Sequence, residues 1–335
     1  MTGSARSIIV RGGGILGLWQ AVTLARAGHR VRLIEASATP FADSASIYAG
    51  VMLAPEREAE TAPAVVRRLG HEGVALWRDF VPHVRTSGSL VIAAPRDRSE
   101  LERFAARTEG HRLVGGDELA VLEQDLAGRF SAALYFPDEA HAPAPAAMAY
   151  LLEQARQAGA EIVLGEVAAP EGGDVVIDCR GIAARDALPT LRGVRGERVL
   201  IRSREVTLQR PVQLLHPRLP LYIVPWDEGV YMVGATVIES EDRGPVSVRS
   251  ALELLGAAYA VHPAFAEAEI VHLGAGVRPA FPDNVPRAIV REGGRRIYVN
   301  GAYRHGFLLA PVLARGVVDY IEGRGASDLL VEEAS

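Results

Sequence analysis

Residues 7–17 read SIIVRGGGILG, a short apolar run followed by a glycine-rich turn. The spacing of Gly12, Gly14 and Gly17 matches the GxGxxG fingerprint, in which a strand leads through a tight turn into a helix. The first glycine permits the turn, the second lets the backbone approach a pyrophosphate, and the third lets the helix pack close to the sheet. The stretch therefore predicts a dinucleotide site near the start of the chain.

The sequence on both sides supplies the context that this fingerprint needs. An amphipathic helix is predicted over 16–27, and a strand over 29–35 ends in Glu35. We expect this carboxylate to accept hydrogen bonds from the ribose hydroxyls of an adenosine, which argues against a 2′-phosphate and hence against NADP. A chance glycine turn and a solvated strand-end carboxylate are the alternatives, and the combined spacing disfavours both.

Composition limits the classes of partner. The chain has 335 residues, a formal net charge of −5 and 49% hydrophobic residues, which is ordinary for a globular protein and offers no basic surface for nucleic acid. No apolar stretch is long enough to cross a bilayer, and the N-terminal sequence lacks a signal-peptide pattern. We therefore expect a cytoplasmic protein that binds neither nucleic acid nor a membrane.

Two residue counts exclude further chemistry. Cys179 is the only cysteine, so no internal disulfide and no cysteine-based metal cluster is expected. All 36 residues of the lysine and arginine class are arginine. This excludes a pyridoxal phosphate Schiff base, a Walker A lysine and a lysine general base, because each needs the amine.

The order of predicted elements indicates two interleaved domains. An α/β rhythm occupies the start of the chain, returns with a helix over 145–158 and strands at 161–164 and 175–177, and closes with a strand over 296–300 and a helix over 308–321. The middle is richer in strands, predicted at 88–94, 131–136, 199–202, 205–209, 221–224, 230–235 and 268–273. The predicted fold class is α/β, with a Rossmann-like nucleotide-binding domain and an inserted, mainly antiparallel β substrate domain. The predicted nucleotide domain comprises residues 1–60, 140–195 and 275–330, and the substrate domain residues 61–139 and 196–274.

Several further segments resemble one family in family order over nearly the whole chain. They are AGVMLAP at 49–55, LHPR at 215–218, YIVP at 222–225, GAT at 234–236, GVRP at 276–279 and YRHGFLLAP at 303–311. Together with the glycine turn and Glu35, they make the chain similar to the FAD-dependent oxidoreductases of the D-amino acid oxidase family. Within that family it most resembles the glycine oxidases of the ThiO type, which serve thiazole synthesis in thiamine production.

The resemblance implies which residues form the site. Arg278 matches the anchor of the substrate carboxylate, Tyr222 the tyrosine whose hydroxyl joins it, and Arg304 a second arginine near the same pocket. A guanidinium suits this role because it can hold a carboxylate through two parallel hydrogen bonds. The implied cofactor is non-covalent FAD, bound by Gly12, Gly14, Ile15, Leu16, Gly17, Glu35, Ala49, Gly50, Met52, Val167, Gly181, His305, Gly306, Phe307 and Leu308. His216 precedes a proline and is interpreted as structural, and no metal is expected.

The resemblance also implies the reaction. Glycine or another small amino acid would pass a hydride from Cα to flavin N5 and give an imine, which water converts to a 2-oxo acid and ammonia. Molecular oxygen would reoxidise the flavin and form H₂O₂, and no side-chain base is required if the amine reacts unprotonated. The exact amine (glycine, sarcosine or a D-amino acid), a homo-oligomeric state and a hand-off of the imine to a thiazole synthase stay open.

Three residues depart from the family pattern. Val51 stands where these oxidases commonly have glycine, and Trp226 where arginine is frequent. Val237 is smaller than the methionine of some relatives, which favours room for a substrate larger than glycine.

Other functions remain as alternatives. One is an FAD-dependent dehydrogenase of a 2-hydroxy acid or amine that uses an acceptor other than oxygen. Another is a flavoprotein subunit that binds FAD structurally within a hetero-oligomer. An NAD dehydrogenase is disfavoured because flavin-type segments follow the glycine turn.

Overall fold

The computed structural model describes residues 5–167, 172–216, 221–325 and 327–333, which form two large sheets. Numbered along the chain, the strands are β1 Ser7–Arg11, β2 Arg30–Glu35, β3 Met52–Leu53, β4 Ser89–Ala93, β5 Arg112–Gly115, β6 Ala132–Phe136, β7 Ala140–His141, β8 Glu161–Leu164, β9 Val175–Asp178, β10 Arg192–Arg202, β11 Val212–Leu215, β12 Leu221–Pro225, β13 Val230–Gly234, β14 Ile238–Glu239, β15 Glu269–Ala280, β16 Arg287–Arg291, β17 Arg296–Asn300 and β18 Leu330–Glu332.

The first sheet has seven strands in the order β18-β16-β17-β9-β1-β2-β8. The second has nine, in the order β14-β10-β13-β12-β11-β4-β6-β5 with β15 also paired to β10. Strands β3 and β7 form a separate ribbon.

Eight α-helices accompany these strands in the described residues. They are α1 Ile15–Arg26, α2 Pro55–Glu58, α3 Ala64–Phe80, α4 Arg98–Ala105, α5 Gly116–Leu122, α6 Ala144–Gln157, α7 Val248–Val261 and α8 Gly306–Ile321. Helix α8 is apolar on almost every side and correspondingly buried, since a helix without a polar face cannot lie on the surface. It packs beside α1 and α3, and these helices share one hydrophobic core with the seven-stranded sheet.

The seven-stranded sheet is parallel around the glycine turn. Strand β1 lies between β2 and β9 and runs parallel to both, so the carboxyl ends of the three strands meet at one edge. The nine-stranded sheet is mainly antiparallel, and its longest pair is β10 with β15. Both findings confirm the predicted fold class, a Rossmann-like part with an inserted antiparallel part. Strands β1, β2, β8, β9 and β16 to β18 form the first sheet, and β4 to β6 and β10 to β15 form the second.

The domain limits stay a prediction, and α3 bears on one of them. This helix lies in the stretch 61–139, which was predicted to belong to the substrate domain. Its buried residues Val66, Leu69 and Trp77 nevertheless belong to the core of the seven-stranded sheet. We therefore propose that this boundary falls after α3 and not before it.

The strand predicted over 205–209 is wrong. Among the described residues the segment has no strand partner, and its backbone N–H groups donate to hydroxyl and carboxylate side chains instead. The N–H of Gln209 donates to both carboxylate oxygens of Glu123, and the N–H of Thr207 donates to Asp125. Side-chain acceptors thus satisfy the donors that a sheet ladder would otherwise use.

Candidate active site

A cavity of about 520 Å³ opens at the edge where the carboxyl ends of β1, β2 and β9 meet. This edge of a parallel sheet is where open α/β folds bind their ligands. The wall includes Ser44, Ser46, Tyr48 and Ala302, and it includes several predicted cofactor residues. These are Gly12, Gly14, Ile15, Leu16, Glu35, Val167 and Gly181.

The glycine turn at this edge has no room for side chains. A Cβ atom on Gly12 would lie 2.7 Å from the carbonyl oxygen of Cys179, and the residue has a φ of 97°, which favours glycine. A Cβ atom on Gly17 would lie 1.8 Å from the carbonyl oxygen of Gly12. Both contacts are with backbone atoms, so a neighbouring side chain cannot relieve them by moving. The turn therefore brings bare backbone to the cavity and packs α1 tightly against the sheet.

Glu35 stabilises the same turn through hydrogen bonds. Its Oε2 accepts a hydrogen bond from the N–H of Gly13 at 2.5 Å, and its Oε1 accepts one from the N–H of Ser37 at 3.0 Å. Each carboxylate oxygen has a second lone pair, so both can still accept a bond from a ligand hydroxyl. The side chain thus lies where an acceptor for ribose hydroxyls is required.

The start of α8 lies beside the start of α1. A Cβ atom on Gly306 would lie 3.8 Å from Cγ2 of Ile15, and neither helix has a side-chain cap at its N-terminus. Trp77 fixes the first turn of α8, because its Nε1 donates to the carbonyl of Phe307 at 2.6 Å. The predicted cofactor residues His305, Gly306, Phe307 and Leu308 are buried here, and they line neither this cavity nor the second one.

These features fit FAD. The N-termini of α1 and α8 carry partial positive charge, which suits a pyrophosphate, although the first N–H of α1, that of Ile15, already donates to Oγ of Ser46 at 3.2 Å. The bare glycine turn permits its close approach, and Glu35 offers acceptors to the ribose. The loop before α8 extends the site, since Ala302 lines the first cavity and Arg304 the second.

A second cavity, of about 340 Å³, brings together the three predicted substrate residues Tyr222, Arg278 and Arg304. They come from β12, β15 and the loop before α8, which are far apart in the sequence. Met52 and His216 also line this cavity, although His216 was interpreted as structural. Pro217 and Arg218, which belong to one of the matching segments, lie outside the described residues.

The two cavities meet along β15. Val277 and Pro279 line the first cavity, whereas Arg278 between them lines the second, because successive residues of a strand point to opposite faces. Gly50 lies close by, since a Cβ atom on it would be 3.0 Å from Cε2 of Tyr222. Among the predicted cofactor residues of this segment, Met52 lines the second cavity, whereas Ala49 and Gly50 line neither.

Arg278 has no acidic partner among the described residues. Its guanidinium lies against the backbone of Gly196, where a Cβ atom would be 2.1 Å from Nη2, and Nη1 donates to the carbonyl of Thr236 at 3.2 Å. The loss of surrounding water lowers the pKa of this guanidinium. The other arginines in the wall each pair with a carboxylate, so within the described residues Arg278 alone has none. The pairs are Arg57 with Glu139, Arg103 with Glu100, Arg107 with Glu60 and Arg304 with Glu58.

Glu58 also lies in this wall and was not predicted from the sequence. Its Oε1 lies 3.4 Å from Nη2 of Arg304, and its Oε2 lies 3.3 Å from Nδ1 of His305. Burial opposes ionisation of this carboxyl group, but Arg304, His305 and Arg57 together hold its pKa at about 2. The charge of Glu58 in turn raises the pKa of Arg304. A signal existed in the sequence, because Glu58 follows the matched stretch 49–55 directly in a run of charged residues.

Arg57 is the second missed residue of the wall. Its Nε donates to Oε2 of Glu139 at 2.7 Å and its backbone N–H to Oε1 at 2.9 Å, and both side chains are buried. Ser89 also donates to this carboxylate. Burial raises the pKa of Glu139, while Arg57 and Ser89 oppose that rise. The group forms a closed pair that supports the wall and leaves no net charge there.

Two departures from the family pattern have structural correlates. Val51 is buried with a φ of 42°, a left-handed conformation that glycine adopts without strain and a β-branched residue does not. Val237 lines the second cavity with 52% of its surface exposed, so a small side chain leaves this side of the cavity open.

Metal-binding clusters and membrane-spanning helices are both absent from the described part of the chain. No group of three or more His, Cys, Asp or Glu residues there is arranged to hold a metal ion. Among the helices of the same residues, none is both long enough and apolar enough to cross a membrane.

Comparison with known proteins agrees with this architecture. The family described as "FAD dependent oxidoreductase" (DAO) matches residues 7–320. A protein of Rhizobium etli, provisionally named thiamine biosynthesis oxidoreductase ThiO, is 50% identical over 92% of this chain and 94% of its own length. The glycine oxidase of Geobacillus kaustophilus is 25% identical over 94% of this chain and 92% of its own. The crystal structure of glycine oxidase from Geobacillus kaustophilus superposes with a TM-score of 0.82 at 23% identity, over 97% of this chain and 96% of that one.

Proposed function

The chain belongs to the family of FAD-dependent oxidoreductases of the D-amino acid oxidase type, and we propose that it oxidatively deaminates glycine or another small amino acid. The products are an imine, which water converts to a 2-oxo acid and ammonia, and H₂O₂ formed from molecular oxygen. The observation that carries the proposal is the guanidinium of Arg278, which has no carboxylate partner among the described residues and lies in a cavity that adjoins the proposed FAD site. An anionic group that enters the cavity would supply the counterion.

Three residues of the second cavity have separate roles in binding the substrate. Arg278 holds the substrate carboxylate through two N–H donors, and the hydroxyl of Tyr222 donates a further hydrogen bond to it. Arg304 lies at the rim with 38% of its side chain exposed and closes the cavity over the substrate. Fixing the carboxylate fixes the position of Cα one bond away, and the small volume excludes water from it.

When bound, FAD supplies the acceptor for the hydride that leaves Cα. The turn at Gly12, Gly14 and Gly17 would hold its pyrophosphate, Glu35 its ribose, and the first turn of α8 its ring system. A helix N-terminus there would favour negative charge on the ring. The protein contributes orientation and a water-poor site and no side-chain base.

A role in thiamine biosynthesis is part of the proposal. It is supported by the name of the Rhizobium etli protein, which is 50% identical over 92% of this chain. In that role the imine is the useful product and passes to a thiazole synthase before water hydrolyses it.

Anaerobic mixing with candidate substrates tests the proposal. The purified holoenzyme is mixed with glycine, sarcosine, D-alanine and D-proline while the visible absorbance of the flavin is followed. We expect glycine to bleach the flavin rapidly and air to restore the colour with formation of peroxide. A yellow protein that none of the four amino acids bleaches would contradict the assignment. Bleaching that only an artificial acceptor reverses would instead indicate a dehydrogenase.

A further inference from the structure

The wall of the second cavity carries both a cation and an anion that a ligand can reach. Arg278 has no carboxylate partner in the described residues, and Glu58 lies in the same wall with 11% of its side chain exposed. Glu58 contributes to the electrostatic environment of Arg278. The cavity is therefore dipolar, with an open positive position and a negative position in one small space.

Glu58 retains unused capacity to accept hydrogen bonds. Its one hydrogen bond to a side chain comes from Arg304, and at 3.4 Å it is long for an ion pair. Its Oε2 is buried, and among the described residues no donor meets hydrogen-bond geometry with it, although Nδ1 of His305 lies 3.3 Å away. A carboxylate oxygen has two acceptor positions, so Oε1, which receives only the long bond from Arg304, is the atom that a ligand can use.

The other carboxylates of the wall are used differently. Glu60 accepts a hydrogen bond from Arg107 at 3.0 Å, and Glu100 pairs with Arg103 on the next turn of α4. These two arginines are largely exposed and belong to the rim of the cavity. Glu58 differs because it is held between Arg304 and His305, next to the proposed FAD segment at the start of α8.

We propose that Glu58 binds the amino group of the substrate, which enters as a zwitterion with its ammonium on Glu58 and its carboxylate on Arg278. The inference rests on the proposed function and adds a residue that selects amino acids over 2-hydroxy acids. It concerns the complex that forms on binding, and the ammonium group then releases its proton to solvent before the hydride leaves Cα.

Charge matching gives the selection its physical basis. A free amino acid carries an ammonium group at neutral pH, and moving that charge from water into a small cavity is costly unless a counterion receives it. Glu58 is that counterion. A 2-hydroxy acid satisfies Arg278 equally well but brings no positive charge to Glu58, so it binds more weakly.

Glycine and propionate provide a matched pair of ligands for the test, because they differ mainly by an ammonium group in place of a methyl group. The holoenzyme is chemically reduced and kept under argon, so that glycine cannot react, and both dissociation constants are measured by calorimetry. We expect Glu58→Gln to weaken glycine binding tenfold or more. Propionate should bind the variant as well as the wild type or better, because a negative charge near its carboxylate has been removed.

Glu60→Gln is the control, since it removes the same charge from the same wall two residues away. We expect it to change neither dissociation constant by more than twofold. The proposal fails if Glu58→Gln binds glycine within twofold of the wild type. It also fails if both ligands weaken equally, because Glu58 would then act only by holding Arg304 and His305.

The wild type separates this failure from failure of the proposed function. If glycine bleaches the oxidised wild type but Glu58→Gln binds glycine normally, only the role of Glu58 is refuted. If glycine never bleaches the flavin, yet the reduced wild type binds glycine through Glu58 by the criterion above, only the proposed reaction is refuted.

Discussion

Replacing Arg278 with methionine should separate binding from stability more sharply than any other change in the second cavity. Methionine keeps much of the length of arginine and removes its charge. The variant loses one hydrogen bond, from Nη1 to the carbonyl of Thr236, and no ion pair within the described residues. Such a bond is worth about 0.5–1.5 kcal/mol, and the loss is offset because a poorly hydrated cation has been removed. We therefore expect the free energy of unfolding to change by no more than about 1 kcal/mol.

The effect on substrate should be much larger. Two hydrogen bonds to a charged carboxylate are worth roughly 3–6 kcal/mol in total. Because Arg278 is half-buried and not fully buried, we take the lower part of that range, about 3–4 kcal/mol. This corresponds to a fall in kcat/KM for glycine of roughly 100- to 1000-fold, at tenfold for each 1.4 kcal/mol.

Two measurements on the same preparations test this prediction. Flavin reduction by glycine under anaerobic conditions gives the loss of catalytic efficiency, and urea unfolding gives the change in stability. Arg103→Met is the control, because Arg103 lies in the same wall, is 61% exposed and should change kcat/KM less than threefold. A loss below tenfold in Arg278→Met would refute the anchoring role. A loss of several kcal/mol in stability would show that Arg278 is a structural ion.

Three further changes probe the FAD site and the core. Gly17→Ala places Cβ 1.8 Å from the carbonyl oxygen of Gly12, so we expect loss of bound FAD and a loss of roughly 3 kcal/mol or more in the free energy of unfolding. Gly256→Ala is the control, because its Cβ meets no atom within 4 Å and the variant should keep both its FAD and its stability. Flavin content and urea unfolding measure the two effects. Glu35→Ala should weaken FAD binding tenfold or more, and unchanged retention of flavin on dialysis would contradict the ribose contact. The imidazole of His141 is buried without a hydrogen-bond partner among the described residues, and burial together with nearby arginines lowers its pKa to about 3. Its contribution to stability is therefore complete above pH 6.5 and is lost as the pH falls toward 3. From pH 6.5 to 4 the wild type should lose roughly 3 kcal/mol more unfolding free energy than His141→Phe, and equal losses in urea titrations would refute this assignment.

Local sequence was sufficient to predict the elements that carry the FAD site. The run 7–17 predicted β1, the turn and the start of α1, because each of its residues satisfies a local geometric requirement. The strand over 205–209 failed for the opposite reason. Its apolar alternation is compatible with a strand, but Glu123 and Asp125, distant in sequence, supply acceptors that remove the need for a partner strand. The sequence of residues 205–209 alone therefore could not reveal these distant acceptors.

The residues of the candidate site were likewise predicted only in part. Tyr222, Arg278 and Arg304 could be named because the resemblance supplies a role for each, and the structure brings them into one cavity. Glu58 and Arg57 were missed because a charged run after an apolar segment usually indicates a solvated surface. Only the folded chain reveals that α2 turns these charges inward, against Arg304 and Glu139.

Trp77 makes the first turn of α8 accessible to optical measurement. Its indole is fully buried, donates to the carbonyl of Phe307 and contacts the ring of Trp19 edge-on at 5.1 Å between centroids. The chain has only two other tryptophan residues besides Trp77, so replacing Trp19 and Trp226 with phenylalanine leaves a single emitter. Its fluorescence then reports the turn that is proposed to contact the flavin, and energy transfer to bound FAD will quench it. Cofactor loading can thus be followed in real time without an attached dye.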